Sequence, residues 1–507
     1  MKSPHQLGKG LIAKNSILNL LGQVLPGVIG VVTIPYIVKG LGTDGYGILS
    51  IAYVVLGYFS IFDLGLSRAT VKFVAEHLSP EKIDRIPELV WTSLSLLIAM
   101  GCIGGLLVAS FVPVLVTRLF KMPPSFVGEA RTALYILAAS MPIMLGSDAL
   151  RGVLEAAQRF DLVNYVKVPG SVCFYLFAAL AIPLGIRVSG IVAILVLVRL
   201  ATALAYLLLG FHVFPGLRKG FHFSRRAVRP LTVFGGWIMV SNVTGPIFGY
   251  LERFLIASVL SVGMLTYYSV PFDLMAKAII FPASLAPALF PYFSHQGSQG
   301  ANAVSDVTSR SVKFLLLVMT PIVAIFVFFA KDILTLWLGS QFAAQSSVVL
   351  QILALSFFLN SFAFIPYTSV QALGRPDLKA ILDLVALPTY VVYCWWLMHH
   401  MGINGAALAK LISTVLDTGF LFAFAWRMKS FSVRDCLSGP LFRALLASFG
   451  LLLTAFTVQL FHVSVSASAV LIAVSCCGYA AVFWWFAVDN DERVTIKGLY
   501  RVLLAKR

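Results

Sequence analysis

The sequence predicts an all-α, polytopic membrane protein: two parallel six-helix bundles and a C-terminal helix pair, with about 14 transmembrane helices in all. Three observations lead to this fold class. Of the 507 residues, 59% are hydrophobic and only 12% are charged, whereas a soluble domain carries about 25% charged residues. Apolar runs long enough to cross a bilayer follow one another along the chain. Most Lys and Arg residues fall in alternate connections between these runs, as expected for loops on the cytoplasmic side.

The individual spans are marked by apolar runs that end at Gly, Pro or charged clusters. The predicted spans lie near residues 15–38, 46–66, 89–117, 129–150, 162–183, 189–211, 231–257, 264–290, 311–330, 346–368, 380–398, 404–425, 441–461 and 467–488. An even number of spans puts both termini on one side, and the basic connections assign that side to the cytoplasm. We therefore predict a multi-pass membrane protein with both termini in the cytoplasm.

The net charge of +17 has the same explanation. In a soluble protein it would indicate a nucleic-acid partner, but here it follows from the basic cytoplasmic loops. We predict no nucleic-acid partner, and contact with membrane lipid instead.

The two halves of the chain resemble each other. Three short segments recur at nearly constant spacing: residues 23–30 match 242–249, residues 156–162 match 372–378, and residues 185–190 match 402–405. The predicted domains are therefore a first bundle (1–211), a basic cytoplasmic linker (212–230), a second bundle (231–426) and a C-terminal part (427–507) with the last two helices and a cytoplasmic tail. Repeated halves of this kind are typical of transporters, which bind substrate near the membrane midplane between the repeats.

Enzyme chemistry has no support in the sequence. There is no Walker loop, no His-Glu-x-x-His and no Gly-x-Ser-x-Gly motif. The predicted loops are too short to form a catalytic domain. We predict that the protein is not an enzyme and has no cofactor or metal site.

A family resemblance rests on short motifs near the predicted helix ends. These are Lys14-Asn-Ser16, Gly40-Leu-Gly-Thr-Asp-Gly-Tyr-Gly47, Asp63-Leu-Gly-Leu-Ser67, Gln158-Arg159 and Gly374-Arg-Pro376. With the 14-span layout, they resemble the polysaccharide transporters of the multidrug/oligosaccharidyl-lipid/polysaccharide exporter superfamily. Within it, the chain most resembles the Wzx-type flippases of undecaprenyl-diphosphate-linked oligosaccharides.

The resemblance implies a V-shaped, MATE-like pair of bundles that works by alternating access. It also implies a location in the cytoplasmic (inner) membrane of a bacterium. The implied role is assembly of a surface polysaccharide such as O antigen (the polymer of lipopolysaccharide), capsule or exopolysaccharide, with a polymerase and a chain-length regulator as partners. Multidrug exporters of the superfamily often carry an acid in span 1, and this chain has none there. Lipid II flippases share the layout and remain an alternative.

Cationic residues in the spans are the candidate substrate contacts, because an ionisable group inside the bilayer is costly unless it faces water or a partner. Arg199 lies near the middle of span 6, Lys277 in span 8 and Lys410 in span 12. We expect these three to attract the diphosphate of a lipid-linked oligosaccharide. Polar side chains for sugar binding are predicted on span 1, at Asn19 and Gln23, and on span 7, at Asn242. The alternative is that Asp273–Lys277 and Lys410–Asp417 are structural ion pairs.

Two further basic residues, Arg68 and Lys72, are predicted where span 2 meets the cytoplasm. They are candidates for contact with the substrate head group, although basic residues at this level also bind anionic lipid. Ion coupling needs a carboxylate whose charge or ion contact changes with the conformational state. The candidates are Asp273, Asp417 and Asp63.

Two other functions stay open. A cation-coupled drug or metabolite antiporter would have a more apolar pocket with an acidic site. A membrane glycosyltransferase or polymer ligase would have a large outer loop with clustered acids or arginines. The sequence favours the flippase over both.

Overall fold

The computed structural model describes residues 4–79, 81–285, 289, 293, 301–372, 375, 377–428, 439–461, 465–489 and 493. Within these ranges, some residues are described by their backbone alone: 4–23, 234, 236–246, 301–306, 440, 465–466 and 469. The described part of the chain is helical apart from short connections, and no strand occurs in it.

The chain forms two compact units, Met1–Val270 and Pro271–Arg507. The helices of the first unit are α1 (Pro4–Tyr58), α2 (Leu66–Glu76), α3 (Ile86–Val114), α4 (Pro124–Ala156), α5 (Phe160–Ala181), α6 (Val188–Val213) and α7 (Arg225–Val259). Helix α8 (Val262–Ala276) contains the boundary. The second unit continues with α9 (Ala301–Phe328), α10 (Ala330–Leu338), α11 (Ser340–Ala372), α12 (Asp377–Arg427), α13 (Pro440–Leu460) and α14 (Val465–Phe486). The predicted division at residues 212–230 stays a prediction.

The protein is a multi-span membrane protein. Nine helices of the described residues are long and apolar enough to cross a membrane. Two of them bend at a glycine with positive φ: α1 at Gly42 (φ 71°) and α12 at Gly402 (φ 57°). Only glycine adopts such a conformation readily. Helix α12 has 51 residues, about twice the roughly 20 residues that one crossing requires. The bends coincide with predicted outer turns, so each of these helices contains two predicted spans.

Helices α3 and α4 approach each other closely through glycines. A Cβ atom on Gly101 would lie 2.5 Å from the Cα atom of Pro142, and one on Gly105 would lie 2.5 Å from the carbonyl oxygen of Ala138. Small residues at such contacts are the usual means by which helices pack inside a membrane. This contact holds α4, which carries part of the site described below, against α3.

Replacing Gly101 by valine should therefore destabilise the protein. The added methyl groups would meet the backbone of α4, and overpacking of this kind costs about 1–3 kcal/mol. Thermal unfolding of the purified protein would show a lower Tm. The control is Gly128→Val on α4, where an added Cβ has no heavy atom within 4 Å. Equal Tm values for the two variants would contradict the proposed role of the contact.

The two halves share one detail of side-chain geometry. After α4, Arg159 Nε donates to Asp161 Oδ1 (3.0 Å) and Nη2 donates to Asp161 Oδ2 (2.9 Å). After α11, Arg375 makes the same two bonds to Asp377, each 3.0 Å long. The hydrogen bond to the carboxylate raises the pKa of each arginine. These turns are one of the sequence matches between the halves, so the matched residues also adopt matching structures.

Candidate functional site

Helices α4, α5 and α6 enclose a cavity of about 280 Å³ in the first unit. Helix α4 contributes Ser147, Asp148 and Arg151; α5 contributes Lys167, Gly170, Ser171, Phe174 and Tyr175; α6 contributes Val198, Arg199, Thr202 and Tyr206. Most of the lining residues thus carry a polar group, and polar and apolar atoms contribute about equally to the lining surface, although all three helices belong to membrane-spanning segments. Such a cavity inside a membrane bundle indicates a polar ligand or a water-filled path.

Local packing explains why the cavity exists at this level. Gly170 lets α5 approach α6, since a Cβ atom there would lie 2.5 Å from Thr202 Cγ2. Thr202 in turn donates its hydroxyl to the carbonyl oxygen of Arg199 (2.7 Å). On the opposite side, Tyr206 is buried and its hydroxyl reaches the carbonyl oxygen of Val163 (3.5 Å). The contacts of Gly170 with Thr202 and of Val163 with Tyr206 hold α5 against α6 beside the cavity.

Three cations and one carboxylate line the cavity. Arg151 contacts Asp148 (Nη2–Oδ1 3.2 Å) and also Glu155 (Nε–Oε1 3.5 Å), which holds its guanidinium in place. Arg199 lies 5.5 Å from the ring centroid of Phe174, a cation–π contact. The side chains of Arg199 and Lys167 are exposed. The cavity is therefore net positive, with two cations that a ligand can reach.

Arg199 was predicted as a substrate contact, and it lies midway along α6 in the cavity wall. Of the other predicted residues in this unit, Arg68 and Lys72 are exposed on α2, and Lys72 contacts Glu76 (3.8 Å). Asp63 is buried, and its carboxylate accepts hydrogen bonds from the amide (3.0 Å) and hydroxyl (2.7 Å) of Ser67. Those bonds stabilise the first turn of α2.

The second unit contains the other predicted charges. Lys277 is exposed just after α8, one turn beyond the half-buried Asp273. Lys410 lies on α12, and its carbonyl oxygen accepts a hydrogen bond from Thr414 (2.9 Å). Asp417 contacts Lys379 (2.9 Å), which also binds Asp383 (2.5 Å). We call Lys379, Asp383 and Asp417 the α12 triad; it unites one cation with two carboxylates.

Three predicted sugar-binding residues, Asn19 and Gln23 on α1 and Asn242 on α7, have side chains outside the described residues. Their predicted role stays a prediction.

Arg151 and Lys167 were not among the residues predicted for the site. Arg151 was predicted to lie in a cytoplasmic loop after a span ending near residue 150, but α4 continues to Ala156 and brings Arg151 into the cavity wall. The spacing of Asp148, Arg151 and Glu155 at three and four residues was a usable signal, because residues so spaced share a helix face. Lys167 was recognisable only as a charge inside a span.

The comparisons with known proteins agree with this structure. The family model described as "Polysaccharide biosynthesis protein" matches residues 12–296, more than half of the chain. A Shigella flexneri protein named as an O-antigen transporter is 28% identical over 83% of this chain and 99% of its own length. A Haloferax volcanii protein named as a low-salt glycan biosynthesis flippase is 22% identical over 82% of this chain and 84% of its own length.

Solved structures share the fold. The lipid II flippase MurJ in an inward closed conformation has a TM-score of 0.69 at 15% identity, covering 93% of this chain and 99% of that one. An inward-facing multidrug resistance MATE family transporter of the MOP superfamily has a TM-score of 0.68 at 15% identity, covering 82% of this chain and 100% of that one. The predicted MATE-like, all-α fold class is confirmed, while the count of 14 spans stays a prediction.

Proposed function

This chain belongs to the family of polysaccharide biosynthesis proteins, and on that premise we propose that it is a flippase of undecaprenyl-diphosphate-linked oligosaccharide. It moves this lipid from the cytoplasmic to the outer leaflet of a bacterial inner membrane, for assembly of O antigen, capsule or exopolysaccharide. No covalent bond is made or broken. The observation that carries the proposal is the net positive cavity lined by Arg151, Lys167 and Arg199.

The chemistry of the cavity suits the head group of such a lipid. A diphosphate leaves water only for cationic groups that donate several hydrogen bonds, and arginine offers five donors in a planar fork. The hydroxyls of Ser171, Thr202 and Tyr175 offer further hydrogen bonds to the head group. The polyprenyl tail remains in the surrounding lipid, so the cavity needs to hold only the polar part.

The same charges link substrate binding to the conformational cycle. Cations that line one cavity repel each other, and the repulsion grows when water is excluded and the local dielectric constant falls. A bound diphosphate compensates the repulsion and stabilises a closed cavity. The substrate thus binds the closed state better than the open one, as a ligand-driven change requires. Other polar residues are proposed to contact the substrate elsewhere on its path: the cations Arg68, Lys72, Lys277 and Lys410, and the amides Asn19, Gln23 and Asn242.

We assign ion coupling to the α12 triad, with Asp417 as the central acid. Its two carboxylates outnumber its single lysine, so the triad can accept one proton or one sodium ion without excess positive charge. Asp273 and Asp63 are additional candidates for coupling. The polymerase and chain-length regulator that accompany such flippases are proposed partners.

If the triad couples an ion to transport, Asp417→Asn should remove the dependence on an ion gradient. Neutralising one carboxylate leaves Lys379 paired with Asp383 alone, which has no net charge and no reason to bind a cation. Transport in vesicles with and without an imposed proton or sodium gradient measures the effect. Asp377→Asn, at the exposed first residue of α12, is the matched control. A gradient response equal to that of the unaltered protein would contradict the assignment.

The proposed function is tested in cells that lack this chain. Surface polysaccharide should disappear, lipid-linked oligosaccharide should accumulate on the cytoplasmic side, and the chain should restore both. Sensitivity to cationic drugs should not change. Normal surface polysaccharide together with increased drug sensitivity would favour the antiporter function instead.

A further inference from the structure

The two arginines of the cavity are held in different ways. Arg151 is fixed by two carboxylates, those of Asp148 and Glu155. Among the residues that the structure describes, the guanidinium of Arg199 makes no ion pair and donates no hydrogen bond, and the ring of Phe174 is its one specific contact. A long side chain that samples many rotamers must be ordered when a ligand binds, and this costs free energy. Whatever orders Arg199 beforehand therefore strengthens the binding of an anion.

Phe174 and Arg199 lie between the polar cavity and a second, apolar space, since both residues line each of the two. The apolar space lies between α1, α4, α5 and α6 and has a volume of only about 10 Å³, the lower limit for one water molecule. Its walls include Leu56, Leu137 and Leu195, among which an unpaired charge would be costly. Of the two spaces, only the polar cavity can accommodate the guanidinium.

The ring of Phe174 is itself fixed by its neighbours. Its centroid lies 5.4 Å from that of Tyr53 on α1 and 5.7 Å from that of Tyr175 on α5, spacings at which aromatic pairs attract each other. Tyr175 packs in turn against Gly30 of α1, where a Cβ atom would lie 3.2 Å from the tyrosine ring. Phe174 thus offers Arg199 a fixed aromatic face at the junction of α1 and α5.

From this geometry we propose that Phe174 is a positioning residue: its ring orders the guanidinium of Arg199 at the cavity wall for a diphosphate. A cation–π contact restricts the guanidinium while its N–H donors stay available to the ligand. A carboxylate partner would instead occupy those donors and repel the phosphates. The inference rests on the proposed function and deepens it, because Phe174 acts on the substrate through Arg199.

The test is a double-mutant cycle on the affinity of the purified full-length protein for lipid-linked oligosaccharide. Phe174→Leu keeps an apolar side chain but removes the ring. It should weaken binding about 2- to 30-fold, the range that the loss of a cation–π contact implies. In an Arg199→Gln background the same change should have no further effect, because the guanidinium that the ring orders is gone. Phe174→Tyr keeps the ring and should recover most of the affinity.

The matched control is Phe177→Leu, one turn further along α5. Phe177 is 40% exposed and does not line the cavity, so the loss of its ring should leave the affinity unchanged. The Tm of each variant is measured beside its affinity. Phe174→Leu also loses the contacts with Tyr53 and Tyr175, so its Tm should fall in both backgrounds, whereas its effect on affinity should depend on Arg199.

Three results would overturn this inference alone. Equal weakening of binding by Phe174→Leu in the two backgrounds would make Phe174 a packing residue. Equal weakening by Phe177→Leu and Phe174→Leu would mean that the loss of any ring on α5 has this effect. Unchanged affinity in Phe174→Leu would show that Arg199 needs no aromatic partner. Absence of binding by the unaltered protein is a different result, since it would contradict the proposed function and the inference with it.

Discussion

Arg199→Gln combined with Lys167→Gln is expected to abolish binding of lipid-linked oligosaccharide and, with it, surface polysaccharide. Both side chains are exposed in the cavity wall, where each can donate charge-assisted hydrogen bonds to a diphosphate. A hydrogen bond to a charged group contributes about 1.5–3 kcal/mol, so each single variant should bind about 10- to 100-fold more weakly. The double variant should lose more than either, although the two effects need not add.

The measurement is the affinity of the purified variants for lipid-linked oligosaccharide, together with their protein levels in cells. Arg187→Gln is the matched control: it removes one positive charge beside α6, but Arg187 is exposed and pairs with Glu129 (3.6 Å) away from the cavity. Arg199→Lys should be intermediate, because lysine keeps the charge but loses the fork of donors. Wild-type affinity in the double variant would contradict the assignment of the cavity.

Lys379→Met should have the largest effect on stability. The change leaves Asp383 and Asp417 close together, each mostly shielded by the bundle and without the lysine that binds both. Removing one partner from a fully buried ion pair costs about 3–5 kcal/mol. Because the side chains of this triad are 19–27% exposed, we expect a loss at the lower end of that range. We expect a clearly lower Tm and less folded protein in the membrane.

A variant that removes all three charges of the triad is the control for this prediction. Lys379→Met combined with Asp383→Asn and Asp417→Asn removes all three charges, and it should recover most of the lost Tm. If the triple variant is no more stable than Lys379→Met alone, the destabilisation comes from lost packing of the lysine stem rather than from unbalanced charge.

The helices were largely predictable because the bilayer imposes a strong hydropathy pattern. The predicted span at 162–183 corresponds to α5 at Phe160–Ala181, and the one at 189–211 to α6 at Val188–Val213. The span at 129–150 was too short at both ends, since α4 runs from Pro124 to Ala156. The additional turn at the C-terminal end carries Arg151 and Glu155, and hydropathy cannot distinguish a polar helical turn from a loop.

The candidate site was predictable only in part, because it depends on which helices meet. Arg199 was identifiable from its depth in an apolar run. The contact of Lys379 with Asp417 was not, because the residues are far apart in sequence. It arises because α12 bends at Gly402: in a straight helix the two positions would be about 57 Å apart, whereas Nζ and Oδ1 are 2.9 Å apart. The tertiary fold, and not the helical pattern, determines this pairing.

We propose that this chain translocates lipid-linked oligosaccharide through its cationic cavity. The most direct test uses purified protein in liposomes that contain a fluorescent lipid-linked oligosaccharide, with the fraction accessible to an external quencher as the readout. We expect the protein to expose label from the inner leaflet, and Arg199→Gln with Lys167→Gln to reduce this exposure to the level of protein-free vesicles. Exposure no greater than in protein-free vesicles, with and without proton or sodium gradients and for several head groups, would contradict it.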